Sequence, residues 1–197
     1  HQFNDDIIAA ARIIAKRYQG NKGHIRNLEK LALAIFDKMK KISGLGERQR
    51  LLLQIAVILH GCGKYINLSD AAQCSYSIIM ATEIIGLSTV ERSIIANVVR
   101  YNTVEFTMED VLTQQLRPED YLVIVKLVAI LRVANALDRS HKQKFEQVRL
   151  ILKDAQLEIV VDTSEDITLE KGLFPPKADY FEEVFHVRPM IRKKKNL

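Results

Sequence analysis

Glu47-Arg48-Gln49-Arg50-Leu51-Leu52-Leu53-Gln54-Ile55-Ala56-Val57-Ile58-Leu59-His60-Gly61-Cys62-Gly63-Lys64 is the stretch whose reading sets the fold. Leu51, Leu52, Ile55, Ile58 and Leu59 recur at helical spacing, and the segment is apolar on most sides. That pattern predicts a central helix over residues 47–60 rather than a surface helix with one greasy stripe. Gly61-Cys62-Gly63 then stops it abruptly, because two glycines in three residues disfavour any regular element. His60 is thereby left at a helix end.

The neighbouring segments read as further helices. Ile7, Ile8, Ala11, Ile14 and Ala15 make a helical face over residues 5–18, which Gln19-Gly20-Asn21-Lys22-Gly23 ends. His24 opens a second helix carrying Leu28, Leu31, Ala32, Ile35, Phe36 and Met39, broken at Ser43-Gly44-Leu45-Gly46. A further helix is predicted over 72–85, closed by Gly86. Ser88-Thr89-Val90-Glu91 has capping-box form and starts another, running to Tyr101. Residues 108–114 read as a short helical piece, and Pro118 sits near the start of a long helix through Leu137. Beyond Asp138 the period changes. Val148-Arg149-Leu150-Ile151-Leu152 and Leu157-Glu158-Ile159-Val160-Val161 are strand-like runs joined by a turn, hence a β-hairpin. Pro175-Pro176 reads as the start of a new segment, with a short helix over 179–185 and a final basic strand or tail. The fold class is therefore mainly α: a helical body over 1–140 and a small α+β cap with one hairpin over 141–197.

Composition narrows the function classes. The chain is 48% hydrophobic, has no Trp and only two cysteines, Cys62 and Cys74, with no CxxC pair. This is the usage of a reducing cytoplasm, and the two thiols read either as small fillers or as a metal or redox pair. The longest apolar run, 121–137, is interrupted by Lys126, Arg132 and Asn135, whereas a span needs roughly 20 largely uncharged residues. The start His1-Gln2-Phe3-Asn4 lacks signal-peptide character and an initiating Met, which fits a piece of something longer. Net charge is +5, with Arg192-Lys193-Lys194-Lys195 crowded together, a balance open to a polyanionic partner or to a solvated tail. A nucleic-acid role lacks a reading helix with clustered basic and aromatic residues. No Ser/His/Asp triad, Walker loop or dinucleotide fingerprint is present.

Three ligand-type residues stand at helix ends: His24, His60 and Asp138. Imidazole with carboxylate is a suitable set for a divalent metal. Lys64, Arg100, Arg132, Arg139 and His141 are candidate phosphate-binding residues, since guanidinium pairs bidentately with phosphate oxygens and ammonium adds a mobile charge. The competing structural reading has Arg132 and Arg139 pairing with Asp138 or capping carbonyls at the end of the long helix, where cations are favoured. The order His, His-x-x-Gly-Lys, Asp resembles the HD superfamily of metal-dependent phosphohydrolases, with Gly61 where that family carries its central aspartate. The resemblance implies an HD-domain-like helical bundle.

A closer resemblance covers nearly the whole chain. It rests on His24-Ile25-Arg26-Asn27-Leu28, Lys64-Tyr65-Ile66-Asn67, Ser75-Tyr76-Ser77-Ile78-Ile79 and Val99-Arg100-Tyr101. Leu131-Arg132-Val133-Ala134-Asn135-Ala136-Leu137-Asp138-Arg139-Ser140-His141 and Phe181-Glu182-Glu183-Val184-Phe185 complete it. Together these are similar to the C-terminal domain of the exopolyphosphatase/guanosine pentaphosphatase (Ppx/GppA) family. The resemblance implies that phosphatase chemistry, and its Mg²⁺, belong to an N-terminal actin-like domain that is not in this sequence. The present chain would partner that domain, help to bind polyphosphate or guanosine pentaphosphate (pppGpp), and contribute to a homodimer. Ala71, Ala72 and Cys74 stand where members commonly carry histidines, so His24, His60 and Asp138 remain as a weak divalent-metal set at most. Losing a partner around a metal costs roughly 10–100-fold in affinity. Three readings follow: a non-catalytic accessory domain, a divergent HD hydrolase, and a ligand-free oligomerisation domain.

Overall fold

The periodic segments become α1 (Gln2–Arg17), α2 (Lys22–Lys38), α3 (Lys40–Ser43), α4 (Glu47–Leu59), α5 (Ala71–Ala81), α6 (Thr89–Tyr101), α7 (Met108–Leu112) and α8 (Pro118–Leu137). They are followed by β1 (Val148–Lys153), β2 (Gln156–Val161), α9 (Thr168–Phe185) and β3 (Arg188–Lys193). This computed structural model describes residues 2–139, 142–145 and 147–194. The architecture is mainly helical, with a small three-stranded sheet near the C-terminus. Among the described residues no helix is long and apolar enough to cross a membrane. Two compact units form: His1–Asn21 with Leu45–Val128, and Lys22–Gly44 with Ala129–Leu197.

In the first unit α4 packs against α1 and α6. Leu51, Leu52, Leu53 and every residue from Ile55 to Leu59 are buried, which is why the helix is apolar on most sides. A 3₁₀ turn, Cys62–Tyr65, follows and packs on α5. The capping box forms as its spacing predicts: the Glu91 N–H donates to Ser88 Oγ and the Ser88 N–H to Glu91 Oε1, both at 3.0 Å. α5 is shorter than its pattern predicts, ending at Ala81 with Thr82 extended. Ile84 is buried and Ile85 is 91% exposed, so the last predicted position contributes no burial to offset its ordering. The Thr82 hydroxyl instead donates to the Ile78 carbonyl at 2.6 Å.

In the second unit the expected hairpin is present, with β1 antiparallel to β2 from Val148↔Val161 to Lys153↔Gln156. Its two loop residues, Asp154 and Ala155, have φ of 52° and 57°, the left-handed pair that matches the twist of two-residue hairpins. β3 then adds to β2 in parallel, from Gln156↔Arg188 to Val161↔Lys193. A parallel neighbour needs a long crossover, and α9 supplies it while packing on β3. The prolines expected to open a new segment lie inside this helix. Ile167, Glu170, Phe174, Ala178, Phe181 and Phe185 are all buried, at intervals of three or four that run straight across Pro175-Pro176. Tertiary burial of that stripe outweighs the lost N–H groups. His186, at φ 56°, ends the helix, its N–H donating to the Glu182 carbonyl at 2.7 Å. An ion pair ties the unit together: fully buried Glu170 meets the Nζ of half-buried Lys144 at 3.2 Å.

Candidate functional site

Of the three ligand-type residues, two meet within the second unit. α2 places His24 in its first turns, 2% exposed, and Asp138 follows α8, 1% exposed. His24 Nδ1 and Asp138 Oδ2 are 2.6 Å apart, so the ring N–H donates to the carboxylate. The other oxygen, Oδ1, accepts the Gln143 backbone N–H at 2.8 Å. Each carboxylate oxygen thus accepts a hydrogen bond from a protein donor, as a buried polar group requires.

His60 lies in the first unit as the C-cap of α4, half-buried, with Nδ1 2.6 Å from the Val57 carbonyl. The next position, Gly61, has φ −101° and open space where a side chain would stand. Glycine is therefore not demanded there by the backbone, and the residue supplies no carboxylate. Gly63 is the opposite. A Cβ there would lie 2.2 Å from the Ala71 carbonyl oxygen, and its N–H donates to Ser75 Oγ at 2.8 Å. Cys62 is buried, and that burial pushes its thiol up to about 11, so it is a neutral S–H rather than a thiolate ligand at neutral pH. Among the described residues no group of three or more His, Cys, Asp and Glu is arranged to hold a metal ion. In the first unit Gly61 supplies no ligand atom from a side chain, and in the second the Asp138 carboxylate accepts from His24 and Gln143.

The phosphate candidates separate by environment. Lys64 on the 3₁₀ turn and Arg139 after α8 are exposed. Arg132 is 4% exposed and stacks over the Tyr180 ring at 4.6 Å, a packing role inside its unit. His141 lies outside the described residues.

Arg100 has the most developed setting. Its guanidinium carbon is 3.7 Å from the Tyr76 ring centroid and 4.6 Å from that of Tyr101. Nη2 donates to Asn97 Oδ1 at 2.8 Å and Nη1 reaches Gln73 Oε1 at 3.4 Å. Gln114 braces this arrangement by exchanging two 2.9 Å hydrogen bonds with Asn97 and accepting the Tyr76 hydroxyl at 3.0 Å. Each of these partners is a neutral group, and among the described residues the buried Arg100 Nε has no acceptor. A guanidinium balanced by ring faces and amide oxygens keeps its charge available to an outside anion. Burial raises the Tyr101 phenol, against the lowering effect of the Arg100 charge.

Gln73, Asn97 and Gln114 carry no mark of a site in the sequence. Asn97 and Arg100 are three apart on α6, a helical-neighbour spacing that is legible, but no local pattern brings Gln114 to them. A family model described as Ppx/GppA phosphatase, domain III, matches residues 8–174 of the chain. A search of curated proteins finds no match.

Proposed function

Because the chain belongs to the Ppx/GppA phosphatase family, as its domain III, we propose that it serves a multi-domain phosphatase without catalysing hydrolysis itself. In this reading it carries a degenerate HD-type site in a helical body and cap divided near residue 140, and acts in the cytoplasm. Its cationic side chains would assist the binding of polyphosphate or pppGpp to an actin-like catalytic domain, where Mg²⁺ and the chemistry reside. Packing against that domain and pairing in a homodimer belong to the same proposal.

The observation that carries the non-catalytic part is the donor set. Hydrolysis at a metal needs residues that hold the ion and an ion that deprotonates water. Among the described residues no three His, Cys, Asp or Glu are gathered to hold one, and Gly61 brings no carboxylate. For the phosphate role, Arg100 supports the reading through its clamped, acid-free guanidinium, with Lys64 and Arg139 as exposed helpers. Tyr65, Ile66 and Leu68, exposed by 55, 59 and 79%, form an apolar run beside Lys64 that suits cover by another domain.

The test is retention of medium-chain polyphosphate by the chain and by its Arg100→Ala and Arg139→Ala variants, alongside elemental analysis after equilibration with Mn²⁺, Fe²⁺ and Zn²⁺. Removing one charge-assisted hydrogen-bond donor from a phosphate weakens binding by about tenfold. Retention that falls by that factor in Arg100→Ala, with no metal held, supports the proposal. Unchanged retention in folded variants removes the phosphate role. One metal per chain that disappears in His60→Ala would instead establish the divergent hydrolase.

A further inference from the structure

The first unit holds a pocket that the phosphate reading does not use, where the connector from α5 folds over the start of α6. α5 stops at Ala81 as Thr82 turns extended. The Leu87 N–H then donates to the Ile84 carbonyl at 3.1 Å, closing a turn. Gly86, at φ 101°, passes so close to α1 that an added Cβ would stand 2.8 Å from Ile7 Cδ1. Arg48 on α4 fastens the same connector: its Nη2 donates to the Gly86 carbonyl at 2.6 Å and to Glu91 Oε1 at 2.9 Å. The connector is thus braced from neighbouring helices. Glu83, Ile84, Leu87, Ser88, Thr89 and Arg92 line a pocket of about 280 Å³, near the lower end of the range for small-ligand sites, roughly 300 Å³.

Two opposite charges line this pocket without answering each other. Among the described residues Arg92 Nε is buried and has no hydrogen-bond partner. Its Nη1 makes a long contact, 3.4 Å, with the Thr82 carbonyl. Glu83 is exposed, and among the described residues no ion pair joins it to Arg92. A buried donor without an acceptor costs about 1–3 kcal/mol, a cost that an incoming carboxylate offsets. Thr89 adds a backbone N–H, because the first N–H groups of a helix have no intrahelical acceptor and carry positive partial charge. The capping box engages the Ser88 and Glu91 N–H groups. The remaining wall is aliphatic, with Ile84 buried and Leu87 half-buried.

One base and one acid in the same pocket select against a multiply charged anion, which would meet the Glu83 carboxylate. They select for a molecule that carries both charges. We propose that this pocket binds a free α-amino acid with an aliphatic side chain. The ligand carboxylate lies on Arg92 and the Thr89 N–H, its ammonium on Glu83, and its side chain against Ile84 and Leu87. A peptide C-terminus shares the carboxylate but brings no ammonium, so the two sources differ at Glu83. The proposal is independent of where the chain meets phosphate.

Amide chemical-shift titration of the full chain with L-leucine, N-acetyl-L-leucine and L-leucinamide tests the site. The first carries both charges, the second the carboxylate alone and the third the ammonium alone. L-leucine should shift the amides of Ile84, Leu87 and Thr89 and bind several-fold tighter than either analogue. Arg92→Gln should weaken L-leucine by about tenfold, as loss of a charge-assisted hydrogen bond does, to the level of L-leucinamide. Glu83→Gln should weaken it to the level of N-acetyl-L-leucine. The analogues are compared on the unmodified chain, so the test stands even where a substitution disturbs α6. An absence of shifts at these amides with L-leucine overturns the inference. So does affinity for L-leucine in folded Arg92→Gln within about twofold of the unmodified chain, or L-leucinamide binding within about twofold of L-leucine. N-acetyl-L-leucine binding as tightly as L-leucine also overturns it, and assigns the pocket to a peptide terminus.

Discussion

Gly63→Ala is the substitution for which the structure makes the strongest demand. The new Cβ would stand 2.2 Å from the Ala71 carbonyl oxygen, 2.4 Å from the Ser75 nitrogen and 2.5 Å from Ser75 Oγ. Optimal contacts of carbon lie near 3.5 Å, so the 3₁₀ turn and the start of α5 must separate by about 1 Å. Two of the three obstructing atoms are backbone, and no rotamer change relieves them. Overpacking of this kind costs about 1–3 kcal/mol. Separation also stretches the 2.8 Å hydrogen bond from Gly63 N–H to Ser75 Oγ, which adds about 1 kcal/mol. The total is about 2–4 kcal/mol, or a fall in Tm of about 5–15 °C for a chain of this size. Thermal and urea denaturation followed by circular dichroism measure it. Gly61→Ala is the internal control, since its Cβ meets nothing within 4 Å; its Tm should stay within about 2 °C, as at an unstrained position. Adding Ser75→Ala to Gly63→Ala should not restore stability, because the Ala71 carbonyl remains. A Gly63→Ala protein that melts within about 2 °C of the unmodified chain would refute the close approach of turn and helix.

Four further outcomes follow. Ala155→Gly should raise stability by about 0.5–1 kcal/mol, because φ of 57° is strained for alanine; urea unfolding that is unchanged or less stable contradicts the hairpin geometry. Glu170→Ala should cost about 1–3 kcal/mol by taking the carboxylate from Lys144, whose ammonium then keeps, among the described residues, only the Asp166 carbonyl, and Lys144→Met with Glu170→Leu should recover much of that in the same assay. Cys62, with a thiol near 11, should resist iodoacetamide at pH 8 in the folded protein and alkylate once unfolded in urea, as read by mass spectrometry. Glu91 is held below its ordinary value of 4.5 chiefly by its hydrogen bond with Arg48. Its contribution is therefore complete above that value and lost as pH falls through the lower folded one. The pair is partly exposed, so Arg48→Met should flatten the acid-side decline in unfolding free energy, read by urea titration at a series of pH values, by less than about 1 kcal/mol.

The helical body is legible in the sequence because its signals are local. α4 declares its burial by being apolar all round, and α6 declares its start through Ser88 and Glu91. The hairpin is legible from alternation and a four-residue turn signal, although Asp154-Ala155 lacks the glycine that would mark its type. What escapes depends on partners distant in sequence. The start of α9 is hidden because Pro175-Pro176 is locally a breaker, whereas the buried stripe from Ile167 to Phe185 becomes decisive only against a sheet. The parallel partner of β2 has no local signature at all. Within the candidate site, residue types and order point to His24 and Asp138, but not to the donor that Gln143 places on the second oxygen. Arg100 is visible as a phosphate candidate, and the amides around it are not, because Gln73 reaches it, and Gln114 reaches its partner Asn97, from separate elements.

The two joints of the sheet should form on different timescales. β1 and β2 meet across two residues, and hairpins of that kind close in roughly 1–10 μs. β3 can dock only after the whole of α9 has been laid down, so its pairing carries the larger loop-closure entropy and comes later. In hydrogen exchange the β3 amides should accordingly open before those shared by β1 and β2.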